Sequence, residues 1–309
     1  MKWPSILSLA WLMPALIVAP ALQADNGNRR VPAEWEPQAA TWLQWPGPYE
    51  RSFEPAFAQF SAIISRYQPL KILYLSDDVE QRARKAIESV GGNPDHANIE
   101  WLSIPYDSAW MRDNGPVYLE VDGKQVIQDW GFDAWGGAFG SDIPYRSDDG
   151  IPTILGERLG LTVEAVDIVH ERGNLEFNGV DTVVLNWSTL GDPERNPGYD
   201  RAQAVEDLKT AFGVSRVIMV EGIPEGDLTR GYIDGFARFI DADTVVVSQC
   251  TQTSSCRPGD GSTGSVYDAA AKKRIEGYFP GRDVYVIEML ASWYDGGGVH
   301  CHTNDQPEL

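Results

Sequence analysis

The stretch Phe53-Glu-Pro-Ala-Phe-Ala-Gln-Phe-Ser-Ala-Ile-Ile-Ser-Arg-Tyr67, followed by Lys71-Ile-Leu-Tyr-Leu75, decides the fold. Its first part carries apolar residues at helical spacing, and a proline-containing turn separates it from a short β-rich run. Recurrence of this unit predicts an α/β fold made of repeats that close on themselves. The further units are Val79–Val90 with Ile99–Ile104, Ile151–Leu159 with Val163–Ile168, Arg201–Phe212 with Arg216–Val220, and Ala269–Phe279 with Asp283–Ile287, with added strands at Thr182–Leu185 and Thr244–Val247.

The first 24 residues have the features of a secretory signal peptide. Lys2 precedes an apolar run from Ile6 to Ala19, and Leu22-Gln23-Ala24 offers a small-residue cleavage site. We therefore expect an exported, periplasmic or extracellular protein, with the signal either cleaved or retained as an anchor. No later run approaches membrane-spanning length, so no membrane association is expected once the signal is removed.

The rest of the chain, residues 25–309, reads as one domain because no linker or low-complexity tract divides it. The 309-residue chain carries a formal net charge of −20. Such a charge disfavours binding to nucleic acid or anionic lipid and favours small cationic partners. Simple solubility explains the same charge equally well.

Three cysteines in an exported chain leave one without a partner. Cys250 and Cys256 lie in one polar loop and are the natural disulfide pair. Cys301 follows the glycines 296–298, which let backbone approach a ligand closely, and histidines flank it. A thiol in this position is a candidate nucleophile, although a cysteine can also serve as a small buried apolar residue.

Polar motifs follow four of the five predicted units. They are Trp110–Pro116, Glu171–Asn174, Thr229–Gly235 and the bend before Cys301. Loops at equivalent ends of repeated strands converge, and sites on α/β scaffolds commonly form there. We therefore predict one site built from four segments.

Carboxylates beside a cysteine suit the chemistry of a guanidinium group. Asp113 and Asp234 would hold the planar cation through charge-assisted hydrogen bonds, and Trp110 would stack on it. Cys301 would attack the central carbon, ammonia would leave, and water would release a ureido product. Taken singly, each acid could instead be a helix cap or part of a surface ion pair.

The chain resembles the agmatine deiminases and the related bacterial peptidyl-arginine deiminases. The resemblance rests on Glu34–Gln38, Thr41–Pro46, Trp110–Pro116, Asp129–Gly136, Asn196–Gly198, Ile233–Phe239 and Gly296–Cys301, in collinear order over nearly all of residues 31–309. It implies a five-fold pseudosymmetric α/β propeller (pentein), and hydrolysis of a guanidino group without a metal or organic cofactor. It also implies Cys301 as the nucleophile, Asp113 and Asp234 as guanidinium-binding acids, and a substrate pocket completed by Trp110, Glu171, Asn174 and Tyr232.

The chain departs from the family pattern at three places. Tyr232 replaces the histidine that serves as general acid and base, and an ordinary tyrosine does not exchange its proton near neutrality. Arg172 stands where the pattern has glycine, which would put a competing cation beside Glu171. The segment 248–267 is shortened, which predicts a weakened fifth blade.

One histidine could compensate for Tyr232. If the backbone there is extended, His302 could reach Cys301 and supply the missing imidazole. For His300, His170 and His96 we expect structural roles, because no acid lies at a useful spacing.

Three functions fit these observations. The first is hydrolysis of agmatine, or of arginine within peptides. The second is a catalytically impaired homologue that binds guanidinium compounds or a partner without turnover, which Tyr232 and the shortened segment suggest. The third is an amidinotransferase-like reaction, which shares the covalent step but needs an amine acceptor.

Overall fold

The computed structural model describes residues 28–140, 142–224, 227–247, 265–278 and 280–309. The predicted signal peptide and the pair Cys250 and Cys256 lie outside these ranges, as does most of the segment 248–267.

Strands in the described ranges form four separate sheets, with strand orders β13-β2-β3-β4, β1-β5-β6-β7, β10-β9-β8 and β11-β12. The strands are β1 (Arg29–Arg30), β2 (Gln38–Gln44), β3 (Leu70–Tyr74), β4 (Ile99–Ser103), β5 (Val117–Val121), β6 (Lys124–Gly131), β7 (Thr162–Val169), β8 (Glu176–Phe177), β9 (Thr182–Asn186), β10 (Arg216–Val220), β11 (Ala237–Phe239), β12 (Val245–Val247) and β13 (Thr303–Pro307).

Helices connect these strands and cover the sheets. They are α1 (Glu54–Ile64), α2 (Asp77–Ser89), α3 (Met111–Asn114), α4 (Ala134–Gly137), α5 (Arg146–Asp149), α6 (Ile151–Leu159), α7 (Trp187–Leu190), α8 (Arg201–Phe212), α9 (Ser265–Tyr278), α10 (Leu290–Tyr294) and α11 (Val299–His302). None of the helices described is long and apolar enough to cross a membrane.

The first sheet joins the two ends of the described chain. Strands β2, β3 and β4 run parallel, as expected for strands linked by helices. Strand β13 then pairs antiparallel with β2, with Thr303 opposite Leu43. Phe57 of α1 and Ile87 of α2 are fully buried and pack with Leu43 and Ile72 in one core cluster. This pairing fixes the turn just before β13, which carries Cys301.

A second core fills the space beside α8. This helix begins at Asp200, whose carboxylate accepts hydrogen bonds from Ala202 N (2.9 Å) and Gln203 N (3.1 Å). Its last residue, Phe212, stacks on Trp130 at 5.2 Å between ring centroids and meets Phe177 edge-on at 4.8 Å. These contacts bind α8 to both neighbouring sheets.

The α/β prediction is confirmed, and α6, α8 and β10 have the predicted bounds. The predicted strand Asp283–Ile287 was wrong, because these residues form no strand. Tyr67 instead holds this segment through side chains, with its hydroxyl 2.9 Å from Asp283 Oδ2 and 2.5 Å from the Tyr285 hydroxyl. A β-rich run becomes a strand only where a neighbouring strand pairs with it, so local propensity misled the prediction. The five-fold arrangement stays a prediction.

Replacing Phe212 by alanine should lower the free energy of unfolding by about 3–5 kcal/mol, because a fully buried ring is removed and a cavity remains. Denaturant unfolding monitored by circular dichroism measures the change. Val180, which is 63% exposed, provides the control, and Val180→Ala should change the same quantity by less than about 0.5 kcal/mol. Similar values for the two variants would contradict the assignment of this core.

Candidate active site

Three short turns bring the predicted reactive side chains together. Helix α3 follows β4 and carries Asp113, a turn at Ile233–Gly235 carries Asp234, and α11 carries Cys301. Helix α3 packs against α11 and against the turn at Arg172–Asn174, which in turn packs against Ile233–Gly235. The predicted convergence of the four segments is therefore found in the structure.

A cavity of about 840 Å³ opens beside these turns. Cys301, Asp113 and Trp110 line its inner part, and aromatic side chains such as Phe53 and Trp135 form much of its wall. Its volume lies within the range of small-molecule sites. The remaining lining residues are Gly47, Pro48, Tyr49, Glu50, Asp107, Ser108, Phe139, Asp142, Ile143, Pro144, Leu228, Thr229, Asp295 and Gly296.

Asp113 lines this cavity, and one of its carboxylate oxygens has no hydrogen-bond partner in the described structure. Its Oδ2 accepts a hydrogen bond from Trp135 Nε1 at 2.9 Å, whereas Oδ1 is buried and has no partner in the described structure. Burial raises the pKa of Asp113 well above its ordinary value, and the charges of Glu171 and Asp234 add to the effect. An unsatisfied buried acceptor is costly, and a cationic donor would satisfy it.

Cys301 is the free thiol of the described residues and is half-buried. Burial raises the pKa of its thiol, and Asp234 and Asp113 raise it further. Gly297, four residues before Cys301, leaves space for the sulfur because it has no side chain. A Cβ at Gly297 would lie 2.7 Å from Cys301 Sγ and 2.5 Å from Trp110 Cζ3. The sulfur and the indole are therefore neighbours at the inner end of the cavity.

Asp234 is not among the residues that line the cavity, and its carboxylate contacts a histidine ring. Its Oδ2 is 2.7 Å from His300 Nδ1, and the other ring nitrogen of His300 is 3.1 Å from Glu34 Oε2. The structural role expected for His300 was thus incomplete, because two acids distant in sequence contact it. Asp234 is oriented by this contact while its charge acts on Cys301.

Glu34 is the centre of a buried charge network. Arg112 Nη1 donates to Glu34 Oε1 at 2.9 Å and to Asp305 Oδ1 at 2.7 Å, and Arg238 also pairs with Glu34. Burial opposes ionisation of Glu34, but Arg112, His300 and Arg238 hold its pKa well below the ordinary value. The network ties the N-terminal segment to α3, β11 and the chain end.

Glu171 does not reach the cavity. It is fully buried, and both of its oxygens accept from Arg195 Nε, at 2.8 and 3.2 Å. The expectation that Arg172 would lie beside Glu171 as a competing cation was wrong. The turn directs Arg172 toward Glu34, and Arg172 Nη2 lies 3.3 Å from Glu34 Oε1. Arg195 is the cation that neutralises Glu171.

Asn174 and Tyr232 also lie outside the cavity lining, among buried groups. Asn174 Oδ1 accepts from Asn186 N (2.9 Å) and Ile233 N (3.2 Å), so this side chain supports the turn that bears Asp234. The Tyr232 hydroxyl is buried without a partner in the described structure. Burial raises the pKa of Tyr232 well above its ordinary value, and Asp113 contributes, so the hydroxyl keeps its proton.

The extended backbone assumed for His302 is not found. Residues 299–302 form a helical turn, which directs His302 away from the side of Cys301. Its Nδ1 donates to the Ala109 carbonyl (2.6 Å), and its Nε2 is hydrogen-bonded to the Ser292 hydroxyl (2.5 Å). Its ring stacks on Trp110 at 4.3 Å, and burial lowers its pKa to about 4. His302 therefore supports Trp110 from behind.

Sequence reasoning missed the parts played by Glu34, His300, Arg195 and Glu50. Glu34 and Arg195 lie in or beside motifs that carry the family resemblance, which was the available signal. His300 lies in the motif Gly296–Cys301, but its acidic partners come from distant segments, and Glu50 gave no signal. In the described ranges, no group of three or more metal-ligating side chains could hold a metal ion.

The chain matches the family described as Porphyromonas-type peptidyl-arginine deiminase over residues 30–257. It is 30% identical over 230 residues to an agmatine deiminase of Pseudomonas aeruginosa, an alignment that covers 71% of this chain and 60% of the relative. The chain thus spans about 60% of the length of that relative.

Solved structures of agmatine deiminases share the fold. The Enterococcus faecalis protein has a TM-score of 0.79 at 21% identity, covering 91% of this chain and 96% of its own. A C. jejuni agmatine deiminase has a TM-score of 0.74 at 19% identity, with the same two coverages of 91% and 96%. At these identities the likeness establishes a mixed α/β fold of the same kind.

Replacing Asp234 by asparagine should accelerate alkylation of Cys301 at neutral pH. Removing a negative charge near the sulfur lowers the thiol pKa and increases the thiolate fraction. Iodoacetamide labelling, followed by mass spectrometry of the peptide containing Cys301, measures the rate across pH. Glu88→Gln on the exposed side of α2 should leave the rate unchanged. A slower rate in Asp234→Asn would contradict the electrostatic assignment.

Gly297→Ala should disturb the same thiol through a steric clash. The added Cβ would meet both Trp110 and Cys301 Sγ, so we expect a change of at least about five-fold in the alkylation rate and altered tryptophan fluorescence. Gly298→Ala is the matched control, because nothing lies within 4 Å of a Cβ there. Equal behaviour of the two variants would exclude the tight contact.

Proposed function

The chain belongs to the Porphyromonas-type peptidyl-arginine deiminase family, and from this membership we propose that it hydrolyses the guanidino group of a small cationic substrate. The reaction would convert agmatine to N-carbamoylputrescine and ammonia, or an arginine residue to citrulline and ammonia. Cys301 is the proposed nucleophile, and Asp113 and Asp234 are the acids that favour a guanidinium beside it.

One observation carries the proposal: Cys301, a free thiol, and Asp113, a carboxylate with one unpaired buried oxygen in the described structure, line the same cavity. Asp113 Oδ1 lacks a hydrogen-bond donor in the described structure, and a guanidinium N–H would supply one. Trp110 forms the wall beside the sulfur and offers a surface on which the planar cation can stack.

The charges around the cavity favour a cation without a carboxylate. The charged side chains among its described lining residues are all acidic: Glu50, Asp107, Asp113, Asp142 and Asp295. A low-dielectric wall of aromatic side chains strengthens their field. Agmatine therefore fits better than free arginine, whose α-carboxylate the acids would repel.

A bound cation would also favour ionisation of the Cys301 thiol and the Asp113 carboxyl. Burial raises the pKa of both the Cys301 thiol and the Asp113 carboxyl. A guanidinium beside them stabilises the ionised forms of both. Substrate binding and thiolate formation thus favour each other.

In the proposed reaction, Cys301 Sγ bonds to the guanidinium carbon, and the bond from that carbon to one terminal nitrogen breaks. The thiol proton passes to this nitrogen, which leaves as ammonia, and the amidino group stays on the sulfur. Water then adds to the carbon and the C–S bond breaks. One water proton returns to the sulfur, the other converts ammonia to ammonium, and the ureido product departs.

We extend the proposal to the architecture and the location of the protein. Four separate sheets, each contributed by different helix–strand units, support a propeller of five units with a reduced fifth. The apolar run before Asp25 supports export of one domain comprising residues 25–309.

A second candidate function is binding of guanidinium compounds without turnover. Two observations favour it. Tyr232 keeps its proton, so it cannot act as the general base that the family histidine provides. Glu171 is neutralised by Arg195 and is not available to a substrate.

Incubation of the purified protein with agmatine, free arginine and a peptide containing arginine should release ammonia and ureido product, fastest from agmatine. Cys301→Ser should abolish the product, because serine is not activated where even a thiol has a raised pKa. Ammonia and colorimetric ureido assays measure the rates. Binding of agmatine by calorimetry without any product would establish the second candidate function instead.

A further inference from the structure

We propose that Glu50 determines substrate specificity by binding a second cation at the distal end of the substrate. The site would then select guanidines that carry an ammonium group at the far end of a short alkyl chain. This inference rests on the proposed function, since it concerns the same cavity.

Glu50 lines the cavity that holds Cys301 and Asp113, and the backbone fixes its position. Its Oε1 accepts from Ala109 N at 3.1 Å, and its Oε2 lies 3.5 Å from Gly47 N. The second contact is long for a hydrogen bond, so Oε2 retains capacity for a donor. The described lining residues include no lysine, arginine or histidine that could serve as that donor.

The position of Trp110 sets the distance between the two ends of the site. The Cζ3 side of its indole adjoins Cys301 Sγ across Gly297. Its N–H, on the pyrrole side of the same ring system, lies close enough to the Glu50 carboxylate to lower the pKa of that group. Glu50 and the sulfur therefore adjoin different sides of the same indole, and an alkyl chain lying along the ring would connect them.

Other acids surround Glu50 and bear on its titration. Burial raises the pKa of Glu50 to about 7, and the nearby carboxylate of Asp148 adds to the effect. Asp148 is itself buried, with a pKa raised to about 6, and holds the backbone of Asp107 and Ser108. The Tyr106 hydroxyl also lies within the field of Glu50 and Asp148. A substrate ammonium would pair with the ionised Glu50, so its contribution should grow as pH rises through neutrality.

Two substrates with the same four-carbon chain test the inference. Agmatine carries both cations, whereas butylguanidine lacks the ammonium. Glu50→Gln keeps an acceptor for Ala109 N but removes the charge, and it should lower kcat/KM for agmatine about 10-fold while changing that for butylguanidine less than about two-fold. The charge-matched control Glu88→Gln, on the exposed side of α2, should change neither.

The wild-type protein provides a test that needs no variant. The ratio of kcat/KM for agmatine to that for butylguanidine should rise with pH around 7, because ionisation of Cys301 affects both substrates equally and cancels. Glu50→Gln should flatten this rise, whereas titration of Asp148 would leave it in place. Equal losses for the two substrates in Glu50→Gln, or a ratio independent of pH, would overturn the inference.

Absence of turnover with both substrates would defeat the proposed function and leave the inference testable. Calorimetric Kd values for agmatine and butylguanidine then replace kcat/KM. Selective weakening of agmatine binding by Glu50→Gln would support the role of Glu50, and equal Kd values for the two ligands in the wild-type protein would reject it.

Discussion

Antiparallel pairing of β13 with β2 is the constraint on which the site depends. It joins the last described strand to one of the first, with Asn304 opposite Trp42, and Trp42 Nε1 also donates to Gln306 Oε1 at 3.0 Å. Backbone pairing of this kind fixes register to the residue, because a slip by one position would turn every side chain to the other face. Cys301 lies two positions before Thr303, where β13 begins, so the sheet constrains its position.

Charge burial explains how the neighbouring turns are held. The partly buried Glu34 accepts from Arg112, Arg172 and Arg238 and contacts His300, and removal of any one partner would reduce the compensation of its charge. Such a network adds little net stability, but it permits few alternative arrangements of the segments it joins. Here those segments carry Asp234 and Cys301, so the network supports the geometry of the reactive groups.

The same burial sets the chemistry. A cavity walled by aromatic side chains penalises lone charges, and burial accordingly raises the pKa of the Cys301 thiol and of the Asp113 carboxyl. A guanidinium reverses that penalty at both groups. In the proposed reaction, the replacement of the family histidine by Tyr232 removes the usual carrier for proton transfer to the leaving nitrogen, whereas a bound guanidinium would itself promote thiolate formation.

The sequence by itself determined the periodic elements, as the bounds of α6, α8 and β10 show, and it predicted that the segments carrying Cys301, Asp113 and Asp234 converge. These follow from local patterns and from motifs. Tertiary structure decided the contact of His300 with Asp234, 66 positions away, and with Glu34, 266 positions away, as well as the pairing of Glu171 with Arg195. It also placed the ring of His302 in a stack with Trp110, and it gave residues 283–287 no partner strand among the described residues. The reason is physical: a side chain's partner, and a strand's partner, are supplied by segments that meet only after the chain has folded.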